Sequence, residues 1–429
     1  MNVLLLGSGG REHAMAWKLA QSPRLSKLWI APGNAGMSDF GDLVPAVRAT
    51  ELDDVLALAE RARADLVIVG PEDPLAAGVA DRLTDAGFPV FGPSRAAAQI
   101  EASKSFANQL MTEAGIASGR YESFDDPEAA RASVFSAGFQ VVIKADGLAA
   151  GKGVTVCDNA EQAAAAIDRI MIDRAFGEAG ARIVVEERLF GRETSAHAFT
   201  DGTTVRHMPF SCDHKPVFDG NRGPNTGGMG VYSPPGWLDD ATASEIRRDV
   251  TERAVAALSA AGRPYAGVLY PGIIVTPDGP RVIEFNSRFG DPEAEVLLPK
   301  LRSDLLEVCD AVAGRRLHEV PVEWDDVATV GVILASGGYP DAYEVGKPIE
   351  GLDAIDDDVQ VFVAGAAHDP AGRLVTAGGR VLCVVARGDT IADARARAYD
   401  NVARISFEGA HYRTDIGAAA EEPLEVAAR

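Results

Sequence analysis

Val282-Ile283-Glu284-Phe285-Asn286-Ser287-Arg288-Phe289-Gly290-Asp291-Pro292-Glu293 is the stretch on which the reading of this chain turns. Its first half reads as a strand, and strand alternation sends Glu284, Asn286 and Arg288 to one face and the apolar Ile283 and Phe285 to the other. Three polar groups therefore point into one space. A carboxylate two residues from an amide oxygen offers the hard donors that a Mg²⁺-type ion takes, usually one or two protein groups completed by substrate phosphates. The same alternation also describes an ordinary solvated face. The continuation favours a site: the strand turns sharply through Gly290 and Pro292, leaving Arg288 beside the pair with a guanidinium that can fork onto a phosphate or carboxylate. Arg288 is thus a candidate stabiliser of transition-state charge.

Upstream, a helix is expected to begin near Ser103-Lys104, followed by a buried strand, Gln140 to Ala145, that runs into a glycine-rich turn; Ile183 to Glu187 is its partner strand. The turn, Gly147-Leu148-Ala149-Ala150-Gly151-Lys152-Gly153, looks like a P-loop only superficially, since its glycines are too closely spaced and no Ser or Thr follows Lys152. A glycine-rich hairpin between Lys144 and Lys152 can still lie over a triphosphate, presenting backbone amides and two cations to the charge of phosphoryl transfer. A plain turn with solvated lysines is the alternative. A second polar loop, Ser211-Cys212-Asp213-His214-Lys215, leads into Gly223-Pro224-Asn225-Thr226-Gly227-Gly228-Met229-Gly230, where glycines admit close approach of a ligand and Asp213 can bind an ammonium group. His214 as a general base is the weaker idea, because a lone His is more often structural.

The first hundred residues alternate short apolar runs (Val3 to Leu6, Leu28 to Ala31, Leu66 to Val69, Val90 to Gly92) with helical patterns, which implies βαβ units and a parallel sheet. Gly7-Ser8-Gly9-Gly10, Pro32-Gly33-Asn34 and Gly70-Pro71-Glu72-Asp73 all follow strand ends, where open α/β sheets bind ligands. Gly7 to Glu12 invites the dinucleotide fingerprint, but Glu12 stands where its third Gly belongs and no acidic residue closes the second strand, so a nicotinamide site is not expected. The amides opening the next helix can hold a phosphate instead, unless the loop is only a tight turn. The last hundred residues read as a capping α+β unit without obvious chemistry, with strands at Thr329 to Ala335, Gln360 to Ala364 and Arg380 to Ala386, a helix over 391–405, and a tail after Gly417 expected to fray or lie on the surface.

Size and composition bound the function. At 429 residues the chain is expected to form about three domains, and 47% hydrophobic with 24% charged residues is ordinary globular composition. A formal net charge of −22 argues against a nucleic-acid partner, so anionic substrates must be met by local cations. Four widely spaced cysteines without a C-x-x-C pair suggest neither a zinc cluster nor a disulfide framework, and no apolar stretch reaches membrane-spanning length. A cytoplasmic protein without membrane or nucleic-acid partners, monomeric or weakly dimeric, is expected.

With these pieces in place the chain resembles the phosphoribosylamine–glycine ligases (glycinamide ribonucleotide synthetases) of the ATP-grasp superfamily, nearly end to end. The matching stretches are LLLGSGGREHA (4–14), VIKADGLAAGKGV (142–154), DHK (213–215), GPNTGGMGVYSP (223–234), GVLYPG (267–272), EFNSRFGDPEAEV (284–296) and YRTDIG (412–417). GPNTGGMG and RFGDPE are the specific ones, since the wider superfamily shares only the metal strand and lysines.

The resemblance implies an α/β and α+β multidomain fold: a Rossmann-like N-terminal domain over 1–102, a helical segment and small ATP-grasp lid over 103–190, a large ATP-grasp subdomain over 191–325 and a C-terminal α+β domain over 326–429. It implies ligation of glycine to 5-phosphoribosylamine at the expense of ATP, through glycyl phosphate, with Mg²⁺ or Mn²⁺. Residue by residue, Lys104 and Lys144 would touch phosphates beside Gly151, Lys152 and Gly153; Glu186 and Glu187 would form the adenine hinge and Glu193 a ribose contact; Glu284 and Asn286 would bind the metal. Asp213 and Arg288 would hold glycine as the catalytic pair, with Lys215, Asn225, Thr226 and Gly227 lining the substrates and the Gly9-Gly10-Arg11 turn meeting the sugar phosphate. Cys212 and Pro271 depart from the pattern, where Gln and Ala are expected, which puts local loop geometry in doubt. The rivals are another ATP-grasp carboxylate–amine ligase, which would lack GPNTGGMG and RFGDPE together, and a nucleotide-binding regulatory module, which would release no substrate-dependent ADP.

Overall fold

The computed structural model describes residues 1–149 and 152–422. Its N-terminal unit is a five-stranded parallel sheet of β1 (Asn2–Gly7), β2 (Lys27–Pro32), β3 (Asp42–Leu43), β4 (Leu66–Val69) and β5 (Val90–Phe91) in the order β3-β2-β1-β4-β5. Val3 to Leu6 are wholly buried because helices cover both faces, as parallel sheets require. The loop after β1 opens helix α1 (Gly10–Leu19), and here the reading of Glu12 gains a physical reason. Its carboxylate accepts a hydrogen bond from the Gly9 amide at 2.7 Å, and its side chain fills the space in which a Cβ on Gly7 or Gly70 would lie only 2.3 Å away. The side chain of Glu12 thus occupies the crevice between β1 and β4.

A four-stranded antiparallel sheet follows, β6 (Tyr121–Phe124), β7 (Val141–Ala145), β8 (Val154–Val156) and β9 (Ile183–Glu187), ordered β6-β9-β7-β8. It carries the glycine-rich hairpin between β7 and β8; Gly151 falls outside the described residues. The helix Lys104–Ala114 precedes it, beginning where the sequence suggested and capped by the Ser103 hydroxyl, which accepts from the Phe106 amide.

The central sheet combines β10 (Arg192–Ser195), β11 (Ala198–Thr200), β12 (Val205–His207), β17 (Gly267–Thr276) and β18 (Gly279–Asn286). Nine of the ten residues of β17 are buried, so it forms the spine against which β18 is registered, Tyr270 opposite Asn286 and Gly272 opposite Glu284. Between them lie β13 (Cys212–Asp213), the hairpin β14 (Pro216–Phe218) and β15 (Arg222–Asn225), and β16 (Gly230–Ser233).

The last sheet, β13-β16-β19-β23-β20, joins β13 and β16 to β19 (Ala328–Ala335), β20 (Gln360–Val363) and β23 (Arg380–Gly388); β21 (Ala366–His368) and β22 (Leu374–Thr376) form a separate ribbon. The C-terminal strands therefore extend a sheet begun about a hundred residues earlier, by the flanks of the GPNTGGMG loop. His13 locks the first unit to the last by accepting from the Val363 amide at 2.7 Å. Of the two expectations for the tail, the surface element holds for 418–422: Ala418, Ala419, Glu421 and Glu422 are exposed, Ala420 is 1% exposed, and the Arg192 guanidinium ties the segment down by donating to the carbonyls of Ala419 (2.7 Å) and Glu422 (2.5 Å).

Candidate active site

Two communicating cavities open between these units. The larger, about 1020 Å³, runs along the lid and includes Lys144, Glu186, Glu187 and Glu193. The smaller, about 280 Å³, lies towards the N-terminal unit and includes Arg11, Lys104, Asn286 and Arg288. Val154, Asp213, Lys215, Thr226 and Glu284 border both, so they stand at the junction.

At that junction β18 presents Glu284 and Asn286 together. Burial alone would raise the Glu284 carboxyl, but Lys104, Lys215, Lys144 and Arg288 outweigh it and hold the group down at about 2, so it is ionised at neutral pH. The Lys104 ammonium is 3.8 Å from it. Asn286 donates its amide nitrogen to the Tyr270 carbonyl at 3.4 Å, which leaves its oxygen for the cavity. Among the described residues no group of three or more His, Cys, Asp or Glu forms a protein-only metal cage. A carboxylate and an amide oxygen on one strand fit instead an ion that keeps water and phosphate oxygens for its remaining positions.

Lys144 ion-pairs with Glu186 across β7 and β9 and donates to the Ile283 carbonyl at 2.8 Å, tying the lid to β18. Lys215 lies 3.1 Å from Glu193 and 3.8 Å from Asp213. Burial raises the Asp213 carboxyl to about 7, against the pull of Lys215 and with the help of Glu293, Glu193 and Glu284. An arriving ammonium group would reverse that imbalance.

Arg288 lies beyond the end of β18, brought into the cavity by the turn and not by strand alternation. Two carboxylates of the N-terminal unit hold it: Glu72 at 3.0 Å and Glu101 at 2.9 Å. Burial pushes the Glu72 carboxyl up, and Arg288 and Arg11 more than offset it, bringing it to about 2. Arg11 donates to the Phe289 carbonyl at 3.1 Å and lies 3.8 Å from Glu72.

Most of the residues picked from the sequence converge. Asn225, Thr226 and Gly227 line the cleft, as does Gly153. Lys152 is exposed and lines neither cavity. Nor do Gly9 and Gly10: the Gly9 amide is taken by Glu12, and Asp291 stands 3.0 Å from where a Gly9 Cβ would project. His214 is half-buried, and the desolvation of its ring lowers its pKa to about 4. Cys212 is buried, its thiol raised to about 12, and it donates to the Glu193 carbonyl. Glu72, Glu101, Tyr270, Asp291, Glu293 and Arg380 also line the smaller cavity. Glu72, Asp291 and Glu293 sit inside stretches the sequence had singled out, whereas Glu101 and Arg380 carried no local signal.

A parallel-sheet unit, an antiparallel lid and a central sheet enclosing a lysine- and carboxylate-lined cleft define the ATP-grasp class. The profile of the phosphoribosylglycinamide synthetase ATP-grasp domain matches residues 102–294, with the N domain of the same protein at 1–101 and its C domain at 329–419. The chain is 47% identical to the phosphoribosylamine–glycine ligase of Halalkalibacterium halodurans, covering 98% of this chain and 97% of the relative. It is 47% identical to that of Caulobacter vibrioides, over 97% of this chain and 98% of the relative. A crystal structure of phosphoribosylamine–glycine ligase from Thermotoga maritima superposes with a TM-score of 0.85 at 34% identity, covering 97% of this chain and all of that one (100%). The biotin carboxylase domain of a Hydrogenobacter thermophilus 2-oxoglutarate carboxylase shares the fold, with a TM-score of 0.75 at 13% identity, 96% of this chain and 91% of that one being covered. The chain belongs to the phosphoribosylamine–glycine ligase family, the ATP-dependent ligases of purine biosynthesis.

Proposed function

We propose that the junction of the two cavities is where this ligase activates glycine, and that the cleft divides its substrates between the two sides. ATP lies along the larger cavity, its adenine against Glu186 and Glu187, its ribose at Glu193 and its phosphates towards Lys144, Lys104 and the hairpin at Gly153. Gly151 and Lys152, next to Gly153 in the sequence, are proposed as phosphate contacts on the family resemblance alone. Asp213 receives the glycine ammonium group and Arg288 its carboxylate, next to the γ-phosphate. The sugar amine enters from the smaller cavity past Lys215, Thr226 and Gly227, with Arg11 facing its phosphate and Asn225 reaching it from the larger side of the junction. The Gly9 and Gly10 turn is assigned to that phosphate on the family resemblance alone, and the Gly9 amide must exchange its bond to Glu12 to take part.

Glu284 and Asn286 are the residues that would hold Mg²⁺ or Mn²⁺, which when bound neutralises phosphoryl oxygens. The chain's own groups do the rest. Arg288, anchored by Glu72 and Glu101, presents its remaining donors without having to reorganise. The glycine carboxylate oxygen attacks the γ-phosphorus and ADP leaves, giving glycyl phosphate. The amine nitrogen then attacks the acyl carbon, the carbon–oxygen bond to phosphate breaks, and the nitrogen gives up a proton. A closed lid keeps water from the acyl phosphate.

The observation that carries this reading is the ionised Glu284 beside Asn286 at the one place shared by both cavities and faced by Lys104 and Lys215. Omitting substrates singly tests it. ADP release is expected only when glycine and phosphoribosylamine are both supplied with ATP and a divalent ion, and ADP production indifferent to glycine would overturn the proposal.

A further inference from the structure

The C-terminal unit, read from the sequence as a cap without chemistry, reaches into the cleft through Arg380, the first residue of β23. Its guanidinium joins the two motifs that single out the family. One terminal nitrogen donates to the carbonyls of Gly227 (2.8 Å) and Asp291 (2.8 Å), and more weakly to that of Gly228 (3.4 Å). The other lies 2.9 Å from the Asp291 carboxylate. The Gly227 amide, in turn, donates to the Tyr339 hydroxyl at 3.2 Å. Both the N–H and the C=O of Gly227 are therefore held by residues more than a hundred positions away.

The approach is close enough to explain the local glycines. A Cβ on Gly227 would lie 2.9 Å from the Arg380 Cζ, and one on Gly379 only 2.2 Å from the Tyr339 ring. The Gly378-Gly379 turn that raises Arg380 into the cleft is pinned by Ser336, whose amide and hydroxyl donate to the Gly379 and Gly378 carbonyls, each at 2.8 Å. Arg380 lines the smaller cavity and not the larger, placing it on the side of the junction away from the proposed nucleotide pocket.

We infer that Arg380 is a positioning residue for the acceptor half of the cleft: through Asp291 and the Gly227 and Gly228 carbonyls it fixes the wall against which the sugar amine seats. It acts through those groups, its own donors being turned towards them. The planar fork is needed for this, because a lysine ammonium can keep the ion pair with Asp291 but cannot span it and the carbonyls at once. The inference rests on the proposed division of substrates in the cleft.

Three-substrate kinetics of Arg380→Lys and Arg380→Met in the full chain test it, with thermal unfolding as a control for folding. The expected result for Arg380→Lys is a KM for phosphoribosylamine raised at least tenfold, KM values for ATP and glycine within twofold of the parent, and a smaller fall in kcat. Arg380→Met should show a larger rise on the same substrate only. Kinetics unchanged in both variants would overturn the inference. So would KM values for all three substrates rising together, or loss of turnover with folding, which would assign Arg380 a purely structural role. A parent enzyme forming no glycinamide product would contradict the proposed function itself, a result distinct from any of these.

Discussion

The guanidinium of Arg288, just beyond the end of β18, lies 2.9 Å from the carboxylate of Glu101, at the end of the N-terminal unit. With Glu72 at 3.0 Å it forms a half-buried cluster in which one cation is shared by two acids from a different unit. The Ser287 amide and hydroxyl also donate to Glu101, each at 2.7 Å, so the turn after β18 is held at consecutive residues. The N-terminal unit thus sets where the Arg288 guanidinium stands in the cleft.

Removing the cation leaves the buried Glu101 carboxylate without its ion-pair partner and Glu72 with Arg11 alone at 3.8 Å, a loss of about 3 kcal/mol. Arg288→Met is expected to abolish ligase activity and to unfold at markedly lower denaturant concentration. Combined with Glu101→Gln it should lose less stability than the two single changes added together, because they break the same contact. Urea titration of the four proteins forms the cycle, and strict additivity would show that the pair is not coupled.

Glu284 is expected to be required for turnover but not for folding. Glu284→Gln keeps the shape of the side chain while halving the hard-oxygen character of the site, and glycine-dependent ADP release should fall about a hundredfold or more. Chelation of divalent ions should abolish the activity of the parent, and addition of Mg²⁺ should restore it. A Glu284→Gln enzyme within tenfold of the parent at saturating Mg²⁺ would remove this residue from the metal site.

His13 makes stability fall on mild acidification. Burial lowers its pKa from 6.5 to about 4, and the Val363 amide, which donates to the ring's free lone pair, favours the neutral form in the same direction. The unfolded chain therefore binds more protons than the folded one between those values, so stability is lost as pH falls through 6.5 and the loss is complete near 4. The full effect is about 3 kcal/mol. His197 and His214, lowered to about 3 and about 4, act in the same direction, so the test is differential. His13→Gln, whose amide oxygen can still accept from Val363, should flatten the pH dependence of the unfolding free energy between pH 6.5 and 4.5.

Glu295 has the opposite sense. It is 1% exposed, neither carboxyl oxygen finds a hydrogen-bond partner beyond its own residue, and a Cβ on Gly10 would lie 2.5 Å from one of them. Burial and Asp291 raise its pKa well above the ordinary value. A folded-state pKa above the unfolded one costs stability increasingly as pH rises past the unfolded value of about 4.5. Glu295→Gln should therefore melt higher than the parent at pH 8, by roughly 1–3 °C, with the difference shrinking at pH 5. A lower melting temperature at pH 8 would show that the ionised form is the one the fold accommodates.

Much of this architecture was legible in the chain. Apolar runs gave β1, β4, β7 and β9 almost to the residue, because fully buried strands leave a period-independent signal that short glycine-rich loops bracket. The pairing of Glu284 with Asn286 followed from alternation alone. Arg288 reached the cleft for a different reason, a turn beyond the strand. What stayed hidden depends on contacts distant in sequence. Glu101 reads as one more helix residue until Arg288 is folded against it, and Arg380 reads as the start of a buried strand. The packing of 418–422 is equally unreadable, since an Ala- and Glu-rich tail has no pattern that announces Arg192 as its anchor. Family motifs, not spacing, supplied glycine and the sugar amine.

Transfer of oxygen from substrate to phosphate tests the central claim, activation of a glycine carboxylate at the Glu284–Asn286 junction, most directly. Glycine carrying ¹⁸O in its carboxylate is turned over with ATP and phosphoribosylamine, and the inorganic phosphate is analysed by mass. One labelled oxygen in each phosphate released is the expected result, because the carboxylate oxygen that attacks the γ-phosphorus leaves with it. Phosphate free of label, formed alongside glycinamide product, would contradict an acyl phosphate and with it the role assigned to this cleft.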